Sequence, residues 1–330
     1  MAERVAVHVL THDSGPFLRP CLDGIRQQTR RPDAVRFIDC ASTDGTADRL
    51  RTVCRRQPGI DFLPLAANRG YAGGHNAGLA AGDEELVLLL NPDVRLEARF
   101  IEEAVAVMNQ HPQAGAVSGR LVRGDLHLDE VPGPLIDSTG LVMTRTQRHR
   151  DRGAGQIDSG QFDQATEIFG ASGAAPLYRR KMLEDIAIDG EIFDENFFAY
   201  REDVDLAWRA RLMGWSAWYA PRARAVHRRR LRPGSRRRAP AFINRHSVKN
   251  RFLLRMKNQT WSNLGRTWPG IGTDMLLIGW LLVAERSSLG GLAEAFAARR
   301  ATWEKRRQIM ARRRVRGWDV DRWFVSGHAD

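Results

Sequence analysis

An α/β fold built on a mostly parallel sheet flanked by helices is predicted by three observations. Apolar, strand-length runs alternate with helical patterns through the first hundred residues. Two of the runs are near-continuously apolar: Val5 to Leu10 reads as a buried strand, and Glu85 to Leu90, with Val87-Leu88-Leu89-Leu90, has no polar face. A strand buried on both sides of a parallel sheet has that pattern. Finally, Asp39, Asn68 and Asn91 to Asp93 fall at or just beyond strand ends, where ligands collect in such sheets.

The elements follow in order. Val5 to Leu10 is a strand, and Pro16 opens a helix reaching Gln28. Ala34 to Asp39 is the next strand and Thr46 to Arg56 the next helix. Ile60 to Leu65 is a third strand, and Gly74 to Ala81 a short helix. Beyond the central Glu85 to Leu90 strand, a helix is expected over Leu96 to His111 and a strand over Ala114 to Leu121. Residues 122–167 read as loops and short antiparallel strands. Phe169 to Tyr178 is extended and Arg179 to Ile186 helical. Glu202 to Met213 is a helix closed by Gly214, and Trp215 to Ala220 a strand leading to His227. Helices then cover Phe242 to Lys257, Asp274 to Glu285 and Leu292 to Arg314. The division expected is a domain over 1–230 and a basic helical extension over 231–330.

The chain has 330 residues, 43% hydrophobic and 27% charged, a globular composition. Three cysteines, Cys21, Cys40 and Cys54, show no CxxC spacing and fit a reducing, cytoplasmic compartment. No secretory signal is visible, and Met275 to Ala284 is too short to span a bilayer. The net charge of +12 includes arginine runs at 228–238 and 312–316, which predict attraction to an anionic partner. The plainer reading is arginine coating solvated faces. Zinc-finger spacing, a helix-turn-helix signature and RNP-like aromatics are missing, so nucleic acid is not the expected partner. Phe242 to Lys257 instead alternates apolar and basic residues, as a helix lying on a membrane surface does.

Four segments carry the chemistry. Asp39 closes a strand directly after Phe37-Ile38, and Ser42-Thr43-Asp44-Gly45 leads into a helix with Asp44 suited to capping it. Asn68 to Gly78 places four glycines ahead of a helix, where backbone can approach an anion closely. It matches neither the dinucleotide fingerprint nor a Walker loop. Asn91-Pro92-Asp93 follows the central strand with hard oxygen ligands, though an Asx turn explains it equally well. Phe193 to Asp205 joins an Asp-Glu pair, an aromatic run and Glu202-Asp203-Val204-Asp205 at a helix start. The helix dipole accounts for the acids but not for the aromatics. Asp205 stands one turn before Arg209, the spacing of a salt bridge.

In order and spacing these segments resemble the family 2 glycosyltransferases, inverting enzymes with the GT-A fold. The resemblance runs from Val5 to His227 and leaves 122–167 unmatched. It implies a nucleotide-sugar donor bound by Thr11, Asp13, Asp39, Asn68, Gly70, Asn76 and Asn91. It also implies a Mg²⁺ or Mn²⁺ ion at Asp93 and His227, Asp203 as catalytic base, and Glu202 and Asp194 on the acceptor. The family commonly has Asp-x-Asp where this chain has Asn91-Pro92-Asp93, one negative charge fewer. The Asn-Pro-Asp and Gly-Tyr-Ala-Gly-Gly-x-Asn forms look most like bacterial rhamnosyltransferases. That implies dTDP-rhamnose as donor, a glycan or polyprenyl-linked acceptor, surface polysaccharide synthesis, and work at the inner face of the plasma membrane. A galactofuranosyl or other hexosyl donor is the near alternative. A basic nucleic-acid binder or a non-catalytic scaffold is the alternative of another class.

Overall fold

A computed structural model describes residues 3–229 and 240–325. Chain order begins β1 (Val5–Thr11), α1 (Leu18–Arg26), β2 (Ala34–Cys40), α2 (Thr46–Arg56), β3 (Ile60–Leu65) and α3 (Gly70–Ala80). It continues through β4 (Leu86–Leu90), β5 (Val94–Leu96), α4 (Phe100–Gln110), β6 (Ala114–Arg123), β7 (Ile136–Ser138), β8 (Leu141–Thr144) and β9 (His149–Asp151). Then come β10 (Thr166–Ile168), β11 (Pro176–Arg179), α5 (Arg180–Ile186), α6 (Glu202–Leu212) and β12 (Ser216–His227). The C-terminal part holds α7 (Ala241–Asn258), α8 (Trp261–Thr267), α9 (Pro269–Ala284), α10 (Leu289–Ala297), α11 (Arg299–Arg312), α12 (Gly317–Asp321) and β13 (Phe324–Val325).

The main sheet runs β10-β12-β6-β11-β4-β1-β2-β3, with β5 beside β12 and β7 beside β6. Strands β4, β1, β2 and β3 are mutually parallel, and β11 is the antiparallel insertion between β4 and β6. Alternate residues of the all-apolar β4 explain the layering. Val87 and Leu89 pack in one core, Leu86, Leu88 and Leu90 in the other, one on each face. Parallel pairing also aligns strand ends: Val9 sits opposite Leu90 and Thr11 opposite Asp39. The residues following β1, β2 and β4 therefore share one edge of the sheet.

Several boundaries differ from expectation. The helix expected from Leu96 begins at Phe100, because Val94–Leu96 pairs with Ala225–His227. Extended structure over Phe169 to Tyr178 contracts to Pro176–Arg179, since the Gly170 carbonyl accepts from the Leu141 amide and the Gly173 amide donates to Asp203 Oδ2. Helix α8 was not anticipated; Thr260 caps it by accepting from the Asn263 amide at 3.2 Å. Of the basic residues expected on one face of α7, Arg245 is exposed while three others turn inward. Lys249, Arg251 and Lys257 are buried, and Arg251 and Lys257 pair with Asp274, Asp194 and Asp205. Arg230, Arg232 and Arg236 to Arg238 lie outside the described residues.

Candidate active site

At the shared sheet edge, the Thr11 hydroxyl donates to Asp39 Oδ1 at 2.9 Å, and the Ser42 hydroxyl donates to the same oxygen at 2.6 Å. The Ser42 amide donates to Asp39 Oδ2 at 3.0 Å. Asp13 crosses from the β1 loop, and its Oδ1 accepts from the Thr43 amide at 2.7 Å. That amide hydrogen bond holds the Asp13 carboxyl below its ordinary range. Asp13 and Ala41 have φ of 48° and 53°, so both turns carry backbone strain.

A second group lies after β4. His227 Nε2 stands 3.7 Å from Asp93 Oδ1, while His227 Nδ1 meets Asp137 Oδ2 at 2.7 Å. Burial lowers the His227 pKa, but the hydrogen bond to Asp137 and the charges of Asp137 and Asp93 outweigh it, and the imidazole is held above its ordinary value. Asp137 also faces Arg229 Nε at 2.8 Å, and Arg229 Nη2 reaches Asp151 at 2.6 Å. Asp137, Asp151 and Arg229 were missed by sequence reasoning. Asp137 and Asp151 belong to the 122–167 stretch, where the sequence offered no motif, and Arg229 is hidden in an arginine run. The one usable signal was Asp137 standing between apolar Leu135-Ile136 and Ser138-Thr139.

Among the described residues no three His, Cys, Asp or Glu side chains form a metal-binding group. The donor set of Asp93 and His227 nevertheless fits a divalent ion that takes its remaining ligands from phosphate and water. A histidine ligand holds its other ring nitrogen to a carboxylate, as His227 does with Asp137. Adjacent ligands of one such ion lie ~3–3.5 Å apart, so the 3.7 Å gap needs only a slight closing of the two side chains.

The third group converges on Gly173-Ala174. Asp203 Oδ2 accepts from the Gly173 amide at 3.1 Å, the Tyr71 hydroxyl donates to the Gly173 carbonyl at 2.9 Å, and the Asn91 amide donates to the Ala174 carbonyl at 2.9 Å. Burial, then the nearby Asp151 charge, pushes the Asp203 carboxyl up to about 6 against the pull of the Val204 and Gly173 amides. Buried Glu202 is pushed well above its ordinary value by desolvation and by Asp203, and its Oε2 has no hydrogen-bond partner among the described residues. Phe198, Tyr200 and Arg201, just before α6, have φ of 63°, 71° and 72°. Strain of this kind, held by surrounding contacts, concentrates where a site is being shaped.

Four further predicted residues have protein partners of their own. The Asp194 carboxylate is buried between Lys257 at 2.6 Å and Lys305 at 2.8 Å. Asn76 clamps Phe193, donating to its carbonyl at 2.8 Å and accepting from its amide at 2.9 Å. Asn68 accepts from the Gly70 amide at 2.9 Å. Gly70, at φ 65°, lies so close to Phe198 that a Cβ there would strike the Phe198 carbonyl.

The Thr11-Asp39-Ser42 cluster, the Asp93–His227 pair and the raised Asp203 carboxylate thus follow strand ends and helix starts of one α/β sheet, where ligands collect in such folds. The chain belongs to glycosyl transferase family 2, whose family model matches residues 6–187, more than half of its length. It is 28% identical over 318 residues to an N-acetylglucosaminyl-diphospho-decaprenol L-rhamnosyltransferase of Mycobacterium tuberculosis, covering 88% of this chain and 95% of the relative. Its fold resembles that of a Pyrobaculum calidifontis mannosyltransferase solved with GDP-Man and Mn²⁺ (TM-score 0.56, 19% identity, 94% of this chain and 86% of that one). It also resembles GalNAc-T7 solved with UDP, GalNAc and Mn²⁺ (TM-score 0.61, 10% identity, 77% of this chain), spanning 48% of that longer chain. The protein is thus a GT-A glycosyltransferase with rhamnosyltransferase-like sequence features.

Proposed function

We infer that the chain transfers a sugar, L-rhamnose by preference, with inversion from a nucleotide-diphosphate donor such as dTDP-rhamnose to an N-acetylglucosamine-bearing polyprenyl diphosphate. The observation that carries the reading is Asp203, whose pKa of about 6 suits a base acting near neutrality. The Asp151 charge that helps raise it is itself paired with Arg229, which also faces Asp137, the partner of His227. In the reaction an acceptor oxygen attacks the anomeric carbon from the face opposite the leaving group, and Asp203 takes its proton. The bond from carbon to the phosphate oxygen breaks, and the nucleoside diphosphate leaves with the electron pair.

Thr11, Asp13 and Asp39 would hold the nucleoside end, with Asn68 and Gly70 at the start of α3, Asn76 behind them and Asn91 beside the sugar. Asp93 and His227 would hold Mg²⁺ or Mn²⁺, which when bound offsets the charge of the departing diphosphate. Glu202 borders the acceptor, and Asp194 supports that side through Phe193 to Asn196. In this reading 1–230 is the catalytic domain and 231–330 a helical extension, working at the cytoplasmic face of a membrane on surface-polysaccharide precursors. The similarity to the mycobacterial relative, whose name specifies rhamnose and a decaprenol-linked acceptor, supports the substrate pair.

The test is a panel of nucleotide sugars, rhamnosyl, galactofuranosyl and other hexosyl, assayed for binding and turnover with Mn²⁺, with Mg²⁺ and with chelator. Metal-dependent turnover of dTDP-rhamnose, lost in Asp203→Asn, is the expected result. Turnover of another hexosyl donor alone would replace rhamnose. Binding of no donor at all would remove the transferase reading.

A further inference from the structure

The surface formed by α8 and α9 is built inside out. Helix α9 has one charged side chain, Asp274, and it faces the protein, pairing with Arg251 at 2.5 Å and with Arg255. Gly270 and Leu281 share that buried face. At about 100° per residue, Met275, Leu276 and Val283 occupy the opposite arc, 70%, 77% and 84% exposed, with Ile271 on its flank. Fifteen large apolar side chains are exposed among the described residues, and eight of them lie between Trp261 and Val283. Single exposed apolar residues are ordinary; this concentration marks an interaction surface. No single described helix is long and apolar enough to cross a membrane, and α8 meets α9 at a 69° bend. The shape is an elbow suited to lying in an interface.

Charge decides what covers it. Arg266 of α8 and Arg286, just after α9, are exposed at the elbow, and the chain carries a net +12. Such a surface repels a second copy of itself and attracts an anionic bilayer. Trp261 and Trp268, 80% and 67% exposed, supply indoles that favour the headgroup level. The elbow also meets the turn between β8 and β9: Gln147 Nε2 donates to the Thr267 hydroxyl at 3.0 Å, and Arg255 of α7, paired with Asp274 of α9, donates to the Thr146 carbonyl at 3.1 Å. Strand β9 ends at Asp151, whose charge acts on Asp203.

We propose that the α8–α9 elbow is a monotopic docking surface that inserts its apolar arc into an anionic lipid bilayer beside the acceptor side of the site. The proposal rests on the lipid-linked-acceptor reading for its purpose, while the binding itself is independent of catalysis. The full chain is floated with vesicles of phosphatidylcholine, with and without phosphatidylglycerol, alongside the double variant Met275→Glu/Leu276→Glu and the milder Trp268→Gln. Lipid-free mass is measured by light scattering and folding by thermal melts.

The wild type is expected to float with both vesicles, more with phosphatidylglycerol. The double variant should partition about tenfold less while melting as the wild type does. Trp268→Gln should fall between them. Absence of flotation, equal flotation of the double variant, or lipid-free dimers that the same substitutions dissociate would each overturn the proposal. Flotation without turnover of any donor would remove the transferase reading and leave docking standing. Turnover on a water-soluble acceptor without flotation would do the reverse.

Discussion

Three neighbouring acids at the start of α6 differ because their surroundings differ. Asp205 is paired with Arg209 and Lys257 at 2.9 Å each; Glu202 is buried beside Asp203; Asp203 is raised to about 6. Turnover should therefore rise with pH through about 6 as Asp203 ionises. Asp203→Asn should cut it by about 10²–10⁴-fold. Stability moves the other way. The folded pKa lies above the ordinary 3.8, so the wild type loses stability as pH rises through about 6. Asp203→Asn should then melt higher than wild type at pH 7–8, with the gap closing below about pH 4. A variant melting lower at pH 8 would show that Asp203 is a paired structural acid. The sequence made this residue legible because acids and aromatics stand together ahead of a helix. It did not make Asp137 legible, because a lone aspartate in an irregular stretch acquires meaning only when the fold brings His227 to it.

At the scale of elements, the strained segment before α6 is held from outside by α7. Buried Asn250 aims its Nδ2 at the carbonyls of Phe197, Ala199 and Tyr200, at 2.9, 2.8 and 2.7 Å. Asn250→Ala leaves those carbonyls without this donor and should cost about 1–3 kcal/mol, read from urea melts. It should also lower turnover more than donor affinity, since Thr11 and Asp39 lie at other strand ends. Unchanged turnover in a destabilised but folded variant would confine Asn250 to a structural role. Helix and strand identities were readable here because periodicity is local. The purpose of the glycines in α3 was less so. Gly74 and Gly78 bring the helix against Leu10 and Ile38, so close packing on the sheet accounts for them without any ligand. Sequence reasoning sees only that backbone can approach something.

Across the whole molecule, the C-terminal helices complete the core of the part that precedes them. Lys257 of α7, with no exposed side-chain surface, bridges Asp194 and Asp205, and Lys305 of α11 reaches Asp194 and Glu191. Burial would raise Asp194, yet the two lysine charges hold it below its ordinary range. Strand β13 adds to β8 from the far end of the chain. None of this pairing can be read from composition, because a basic helix looks alike whether its lysines meet water or distant carboxylates. Breaking one buried ion pair costs about 3–5 kcal/mol, against a total stability of about 5–15 kcal/mol for a domain. Lys257→Met leaves Asp194 with Lys305 and Asp205 with Arg209, so it should lower the urea midpoint while keeping a folded state. A chain ended at residue 229 loses both lysines and Asn250 together and should lack a cooperative urea transition by circular dichroism. A sharp transition near the full-length midpoint in that shortened chain would show that the catalytic part folds alone, leaving the C-terminal helices the membrane-facing role only.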